Sequence, residues 1–208
     1  DWDGSTTVEP QKDGETYLIS NSYELAWFRD EVNKGNYTLN ARLTENINLG
    51  GHPWTAISKL TDTSAKTGYK GTFDGNGHTV TLDITASTAN VGLFSKLAGG
   101  AVVKNVITAG SISGKVNNVG GIAGTADGNV TIENCNNTAS IKGGKGAGGI
   151  LGYSEPGSGF VTISSCANMG SVSGTRKQVG GIAGNVVGTH IIRNCYNQGD
   201  ISDGAGIL

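Results

Sequence analysis

The chain has 208 residues, with 35 glycines but only 3 prolines, and a formal net charge of −2 on 15% charged residues. This composition, without a Gly-X-Y period, excludes collagen and a Pro/Gly/Ser linker; the weak charge excludes a long-range field that would draw the chain onto nucleic acid or an anionic membrane. No apolar run nears the roughly 18 residues of a membrane helix, so neither nucleic acid nor membrane insertion is expected.

In chain order, Thr16 to Ser20 reads as a strand. Residues 21–35 read as a helix. Asn21 and Glu24 stand at capping-box spacing, Leu25, Phe28 and Val32 recur at spacings of three and four, and Gly35 supplies a stop. Tyr37 to Leu49 reads as strand, and Gly71 to Ile84 as a turn that enters a regular array.

From Val91 onward the chain repeats itself. Val119-Gly-Gly-Ile-Ala-Gly124, Ala147-Gly-Gly-Ile-Leu-Gly152 and Val179-Gly-Gly-Ile-Ala-Gly184 are copies, and Val91-Gly-Leu-Phe94 opens a less regular one. With Val106, Cys135, Cys166 and Cys195 as an anchor column, the blocks that follow align without gaps at periods of 29, 31 and 29 residues. Val103, Ile132, Ile163 and Ile192 precede the anchor by three positions, and Ile112, Ile141, Val172 and Ile201 follow it by six. Two polar columns flank it: Asn105, Asn134, Ser165 and Asn194, then Thr108, Asn137, Asn168 and Asn197. Asparagine tolerates left-handed bends and bonds laterally, so stacked copies should form ladders. Three short β-branched segments per repeat of about 29 residues describe one coil of a parallel β-helix. The period is too short for a propeller blade, and the leucine-rich pattern is absent.

The expected fold is therefore all-β, a parallel β-helix with three strands per coil and a short N-terminal capping helix over an end that would otherwise be an open edge. One domain spans 1–208, with a cap and entry coils over 1–90 and regular repeats over 91–208. Gly204 to Leu208 begins another glycine-rich segment without a cover, so the natural chain is expected to continue.

The Gly-Gly-Ile-Ala-Gly and Gly-Ile-Leu-Gly copies resemble the GLUG motif repeats of bacterial surface proteins, including β-helical regions of secreted immunoglobulin A proteases and adhesin-like proteins. Upstream, Tyr17-Leu-Ile-Ser20, Leu25-Ala-Trp-Phe28, Leu43 to Leu49, Trp54-Thr-Ala-Ile57 and Tyr69 to His78 are similar to the segment that precedes such repeats. The resemblance implies a right-handed helix, an extracellular location at the cell surface or secreted, and other domains of a larger parent chain. It carries no catalytic residue, and the chain holds no His-Glu-x-x-His.

Chemistry finds little purchase in the columns. Lys104, Glu133, Ser164 and Arg193 mix signs where a glycan hydrolase or lyase needs converging carboxylates, so they read as a solvated face with weak cross-coil pairs. Asp74-Gly-Asn-Gly-His78 resembles the start of a calcium loop, but Thr85 stands where the closing glutamate belongs. The three cysteines lack zinc spacing and read as a buried, reduced stack, the alternative being a single disulfide between adjacent coils that leaves one thiol over. His52, His78 and His190 lack partners for nucleophilic work. No catalytic residue, metal or cofactor is expected. Asn36, Asn129 and Asn136 sit in sequons that a bacterial protein would leave unmodified.

Two surface features point to binding. Lys115, Lys142, Lys145, Arg176 and Lys177 all precede a Gly-Gly-Ile segment, so stacking should line them along one edge, suited to an anionic glycan or cell-wall polymer. The third copy carries a longer loop, Tyr153 to Phe160, whose Tyr153 and Phe160 could stack on sugars or hold a protein. The function expected is non-catalytic adhesion or ligand display toward a host or matrix glycan or protein. The alternatives are a polysaccharide-active enzyme or its carbohydrate-binding accessory, and a passive spacer in a secreted protease.

Overall fold

The computed structural model describes residues 2–59, 67–155, 157 and 159–203. Pro156 and Ser158 of the inserted loop, and the terminal glycine-rich segment 204–208, lie outside them. The rest is a parallel β-helix. Ile132 pairs in parallel register with Val103 on one side and Ile163 on the other, and Ile163 with Ile192, so successive coils sit one repeat apart.

Three walls surround the core, and their strand make-up is finer than the three segments read from the sequence. Wall one is kinked: Val119–Gly120 and Ala123–Ala126 belong to separate sheets, because the Gly-Gly-Ile run bends at Gly121 and Ile122. Wall two is an eight-stranded sheet that includes Val130–Glu133. Wall three holds Asn136–Asn137 and Ser140–Gly143, which pair with one unbroken strand, Ile107–Ser113, in the preceding coil. The break has a local cause. Asn137 stands where Thr108 does, and its side chain accepts from Ala139 N (3.2 Å) and donates to Ala139 O (2.9 Å), turning the chain on itself.

The two polar columns divide into distinct roles. Asn105, Asn134, Ser165 and Asn194 adopt φ of 55, 50, 53 and 52°, the left-handed bend that turns wall two into wall three. The second column points inward. Thr108 Oγ1 donates to Asn137 Oδ1 (2.9 Å), Asn137 Nδ2 to Asn168 Oδ1 (2.8 Å) and Asn168 Nδ2 to Asn197 Oδ1 (2.6 Å), and the first three of these side chains are fully buried. Opposite them, a Cβ on Gly121, Gly149 or Gly181 would run into the side chain of Asn137, Asn168 or Asn197 respectively. The Gly-Gly-Ile motif and the asparagine column are thus two sides of one close approach across the coil.

The apolar columns fill the interior. Val103, Ile132, Ile163, Ile112, Ile141 and Val172 are at most 1% exposed, each worth about 1.5–3 kcal/mol of burial. Their counterparts in the last described coil, Ile192 and Ile201, are 40% and 42% exposed.

The other end is closed. Helix Ser22–Asn33 starts at Asn21, whose Oδ1 accepts from Glu24 N (3.0 Å); the Glu24 carboxylate reaches Ser20 N (2.6 Å), one residue before the usual capping-box donor. Leu25, Phe28 and Val32 are fully buried, and the Phe28 ring meets Tyr69 and Phe73 at 6.1 and 5.9 Å, joining the cap to the coil interior. The stretch read as one strand over Tyr37 to Leu49 divides into Asn40–Leu43 and Ile47–Asn48, on walls two and three. An antiparallel, fully exposed edge strand, Gln11–Asp13, borders wall two with polar side chains that discourage further pairing.

Candidate functional site: a cationic corner

The corner where wall three returns to wall one is built by short bends. Gly114 N donates to Lys142 O (2.9 Å), Asn118 N to Lys145 O (2.9 Å) and Ala147 N to Gln178 O (3.1 Å), so the three bends stack on one another. Asn118, Gly146 and Gln178 close them with φ of 60, 74 and 78°. Asn117 Oδ1 also accepts from Lys145 N (3.1 Å), a lateral tie between neighbouring bends.

This stacking brings Lys115, Lys142, Lys145, Arg176 and Lys177 to one corner of three successive coils, and all five are exposed. Lys142 lies at the end of wall three between Ser113 and Ser173, so the cations make a cluster around the corner rather than a single-file column. Among the described residues the ion pairs are Arg29–Asp30, Lys34–Glu31, Arg42–Asp13, Lys96–Glu155 and Lys104–Asp74. None involves a corner cation. Coils stack about 4.8 Å apart, so the cluster extends about 10 Å along the axis. At such separations each pair of like charges repels by about 0.4–0.8 kcal/mol in water before salt screening. An anionic ligand with several charges would relieve that repulsion at many points at once.

Tyr153 and Phe160 lie elsewhere. Tyr153 is on wall one, half-buried and paired with Thr125; Phe160 precedes wall two, 52% exposed, and its N–H donates to Asn129 Oδ1 (2.9 Å). One residue lies on wall one and the other leads into wall two, so the structure does not join these aromatics to the cationic corner.

One buried contact was not legible in the sequence. Lys96, 3% exposed, stacks below Thr125 on wall one and pairs with Glu155 at 3.1 Å, while Thr125 Oγ1 donates to the other Glu155 oxygen (3.2 Å). Glu155 thereby pins the start of the inserted loop to the wall. Nothing local to Lys96 signals that a segment 59 residues later covers it.

The remaining features are structural. Lys104, Glu133, Ser164 and Arg193 are in register on wall two; below them Asp74 meets Lys104 at 3.6 Å, and Arg42 meets Asp13 at 3.2 Å. The calcium-like segment is a turn in which Asp74 Oδ1 accepts from Asn76 N and Asn105 Nδ2, both at 2.9 Å. Cys135, Cys166 and Cys195 are free and lie in successive register positions after Val106, the first two buried and the third half-buried. Burial pushes the Cys135 thiol well above its ordinary range. Among the described residues no group of three or more His, Cys, Asp or Glu is arranged to hold a metal, and no helix is long and apolar enough to cross a membrane.

No family model matches the chain, so the GLUG resemblance rests on its own residues. The chain is 36% identical over 129 residues, 61% of its length, to halomucin of Haloquadratum walsbyi, and spans about 1% of that protein. A crystal structure from Bacteroides ovatus, of a protein provisionally assigned as an immunoglobulin A1 protease, superposes with a TM-score of 0.65 at 19% identity, covering 95% of this chain and 80% of that one. That likeness shows the fold: the chain is a β-helical solenoid.

Proposed function

We propose that this chain is a non-catalytic β-helical module of a larger surface or secreted protein, and that it uses its cationic corner to hold an anionic glycan. The observation that carries this reading is the gathering of five exposed cations on three stacked bends, with no carboxylate partner among the described residues. Likeness to a short stretch of a far longer halomucin supports a modular parent, and likeness to a protein assigned to cleave immunoglobulin A1 supports a place outside the cell. Phe160, exposed at another corner, is a separate contact point available to a host or matrix protein.

The binding would be additive and salt-sensitive. Each exposed charge contact contributes about 0.2–1 kcal/mol, so five together supply about 1–5 kcal/mol. Replacing all five cations with glutamine should weaken binding to immobilised polygalacturonate by about fivefold or more at low salt, with wild-type binding itself falling as salt rises. Equal binding by wild type and variant would refute the corner as the contact and return the module to the role of a spacer.

A further inference from the structure

Below the cationic corner the same bend recurs without charge. Ala86 N donates to Ser113 O (2.6 Å), Asn90 N to Asn117 O (3.0 Å), and the Asn118 amide to Asn90 Oδ1 (2.7 Å), so residues 86–90 are the bend one coil beneath Lys115. Ser87, Thr88 and Ala89 are exposed there, in place of lysines. Between this bend and the segment 53–59 lies a cavity of about 460 Å³, within the range of about 300–1,000 Å³ typical of small-ligand sites.

The walls of this cavity divide by chemistry. Trp54, Ile84 and Val91 supply apolar surface, Thr85, Ser87 and Thr88 supply hydroxyls, and Lys59 is the one ionisable residue among the described residues lining it. Apolar surface for a ring's C–H face, hydroxyls for its O–H groups and one cation together describe a site for a sugar that bears a carboxylate. The aromatic wall is held firmly. The Arg29 guanidinium sits 4.5 Å from the Trp54 ring, the Trp2 ring meets it edge-on at 5.6 Å, and Asn33 at the end of the capping helix accepts from Lys59 N (2.8 Å) and donates to Ala56 O (3.4 Å).

Two polar atoms of the segment 53–59 lack partners among the described residues. Trp54 Nε1 and Ser58 Oγ are buried without a hydrogen bond, and Ser58 holds a left-handed φ of 62°, which a non-glycine residue rarely adopts. Unpaired buried polar groups and backbone strain collect at functional sites. We infer that this cavity is a subsite for a uronic-acid sugar, placed so that the anionic chain held along the corner delivers one of its residues into it. Delivery of the longer chain rests on the corner reading; the subsite itself does not.

The test is an NMR titration of the whole chain with trigalacturonate. Shifts should concentrate on the Trp54 indole N–H and the amides of Ser87, Thr88 and Asn90. Ala89→Trp, which fills the rim from an exposed position, should weaken binding at least tenfold, and so should Lys59→Glu, which reverses the charge at the rim without entering the core. Absence of shifts at these groups, or undiminished trigalacturonate binding by Lys59→Glu, overturns the subsite. If the five-glutamine variant loses polygalacturonate while trigalacturonate leaves the cavity unshifted, the subsite fails and the corner stands. If the cavity shifts in both proteins while polygalacturonate binds them equally, the corner fails and the subsite stands.

Discussion

The buried amide ladder should be the most sensitive polar element of the molecule, and Asn137→Ala measures it. Asn137 accepts from Thr108 Oγ1 and Ala139 N and donates to Ala139 O and Asn168 Oδ1, at 2.9, 3.2, 2.9 and 2.8 Å. At about 1 kcal/mol net for each bond, the substitution should cost about 4 kcal/mol, because alanine leaves four groups without their partner in a site closed to water. Asn197→Ala is the internal control. Asn197 is exposed, accepts from Asn168 Nδ2 and donates to Gly199 O, and water can replace it, so about 1 kcal/mol is expected. Urea unfolding followed by far-ultraviolet circular dichroism reads both as midpoint shifts at constant m. If Asn137→Ala costs no more than Asn197→Ala, the ladder is an accident of stacking rather than a source of stability, and the recurrence of asparagine in that column has some other cause.

Three further outcomes follow from buried ionisable groups. Burial holds Cys135 and Tyr69 neutral beyond their ordinary values of 9.0 and 10.0, so the unfolded chain releases these protons first. Stability should be complete below ~pH 9 and fall as pH climbs through ~9 and beyond; a urea midpoint unchanged between ~pH 8 and ~pH 10.5 would contradict it. Thiol titration under native conditions should reach half-buried Cys195 first and count three thiols after unfolding, whereas a total of one would reveal a bridge. Glu155→Gln leaves Lys96, 3% exposed, without its anion and should cost about 2 kcal/mol, with Lys96→Met in the same background restoring most of it. A double-mutant cycle by urea unfolding checks this, and additive effects would show that the pair is not coupled.

What could be read in advance was whatever recurs. The periods, the apolar columns and the left-handed asparagine bends depend on single residue types repeated at fixed spacing, and the capping helix carries its own local signals at Asn21, Glu24 and Gly35. The corner cations were legible for the same reason. Contacts made once were not. The Lys96–Glu155 pair and the cavity beside Trp54 depend on segments that meet only after the coil has closed. The kink in wall one was hidden differently: Gly121 had to be seen facing Asn137 before its lack of a side chain acquired a reason.

That facing pair also explains where function can reside. Inside each coil the choice of residue is narrow, because a Cβ on Gly121 meets an amide and a changed Asn137 breaks a ladder shared with the coils above and below. The exposed positions of the corners, apart from the residues that close the bends, carry no such constraint. At the bend from wall three to wall one the coils run from Ser87, Thr88 and Ala89 to Lys115, then Lys145, then Arg176 and Lys177, while the backbone bonds that stack these bends are kept. The scaffold therefore fixes position and leaves chemistry free at the exposed corner positions, so charges and hydroxyls there can be exchanged coil by coil while the stacked backbone bonds are kept. A ligand that spans several coils would read that sequence of corners as one continuous surface, neutral and hollow beside the cap and cationic beyond it.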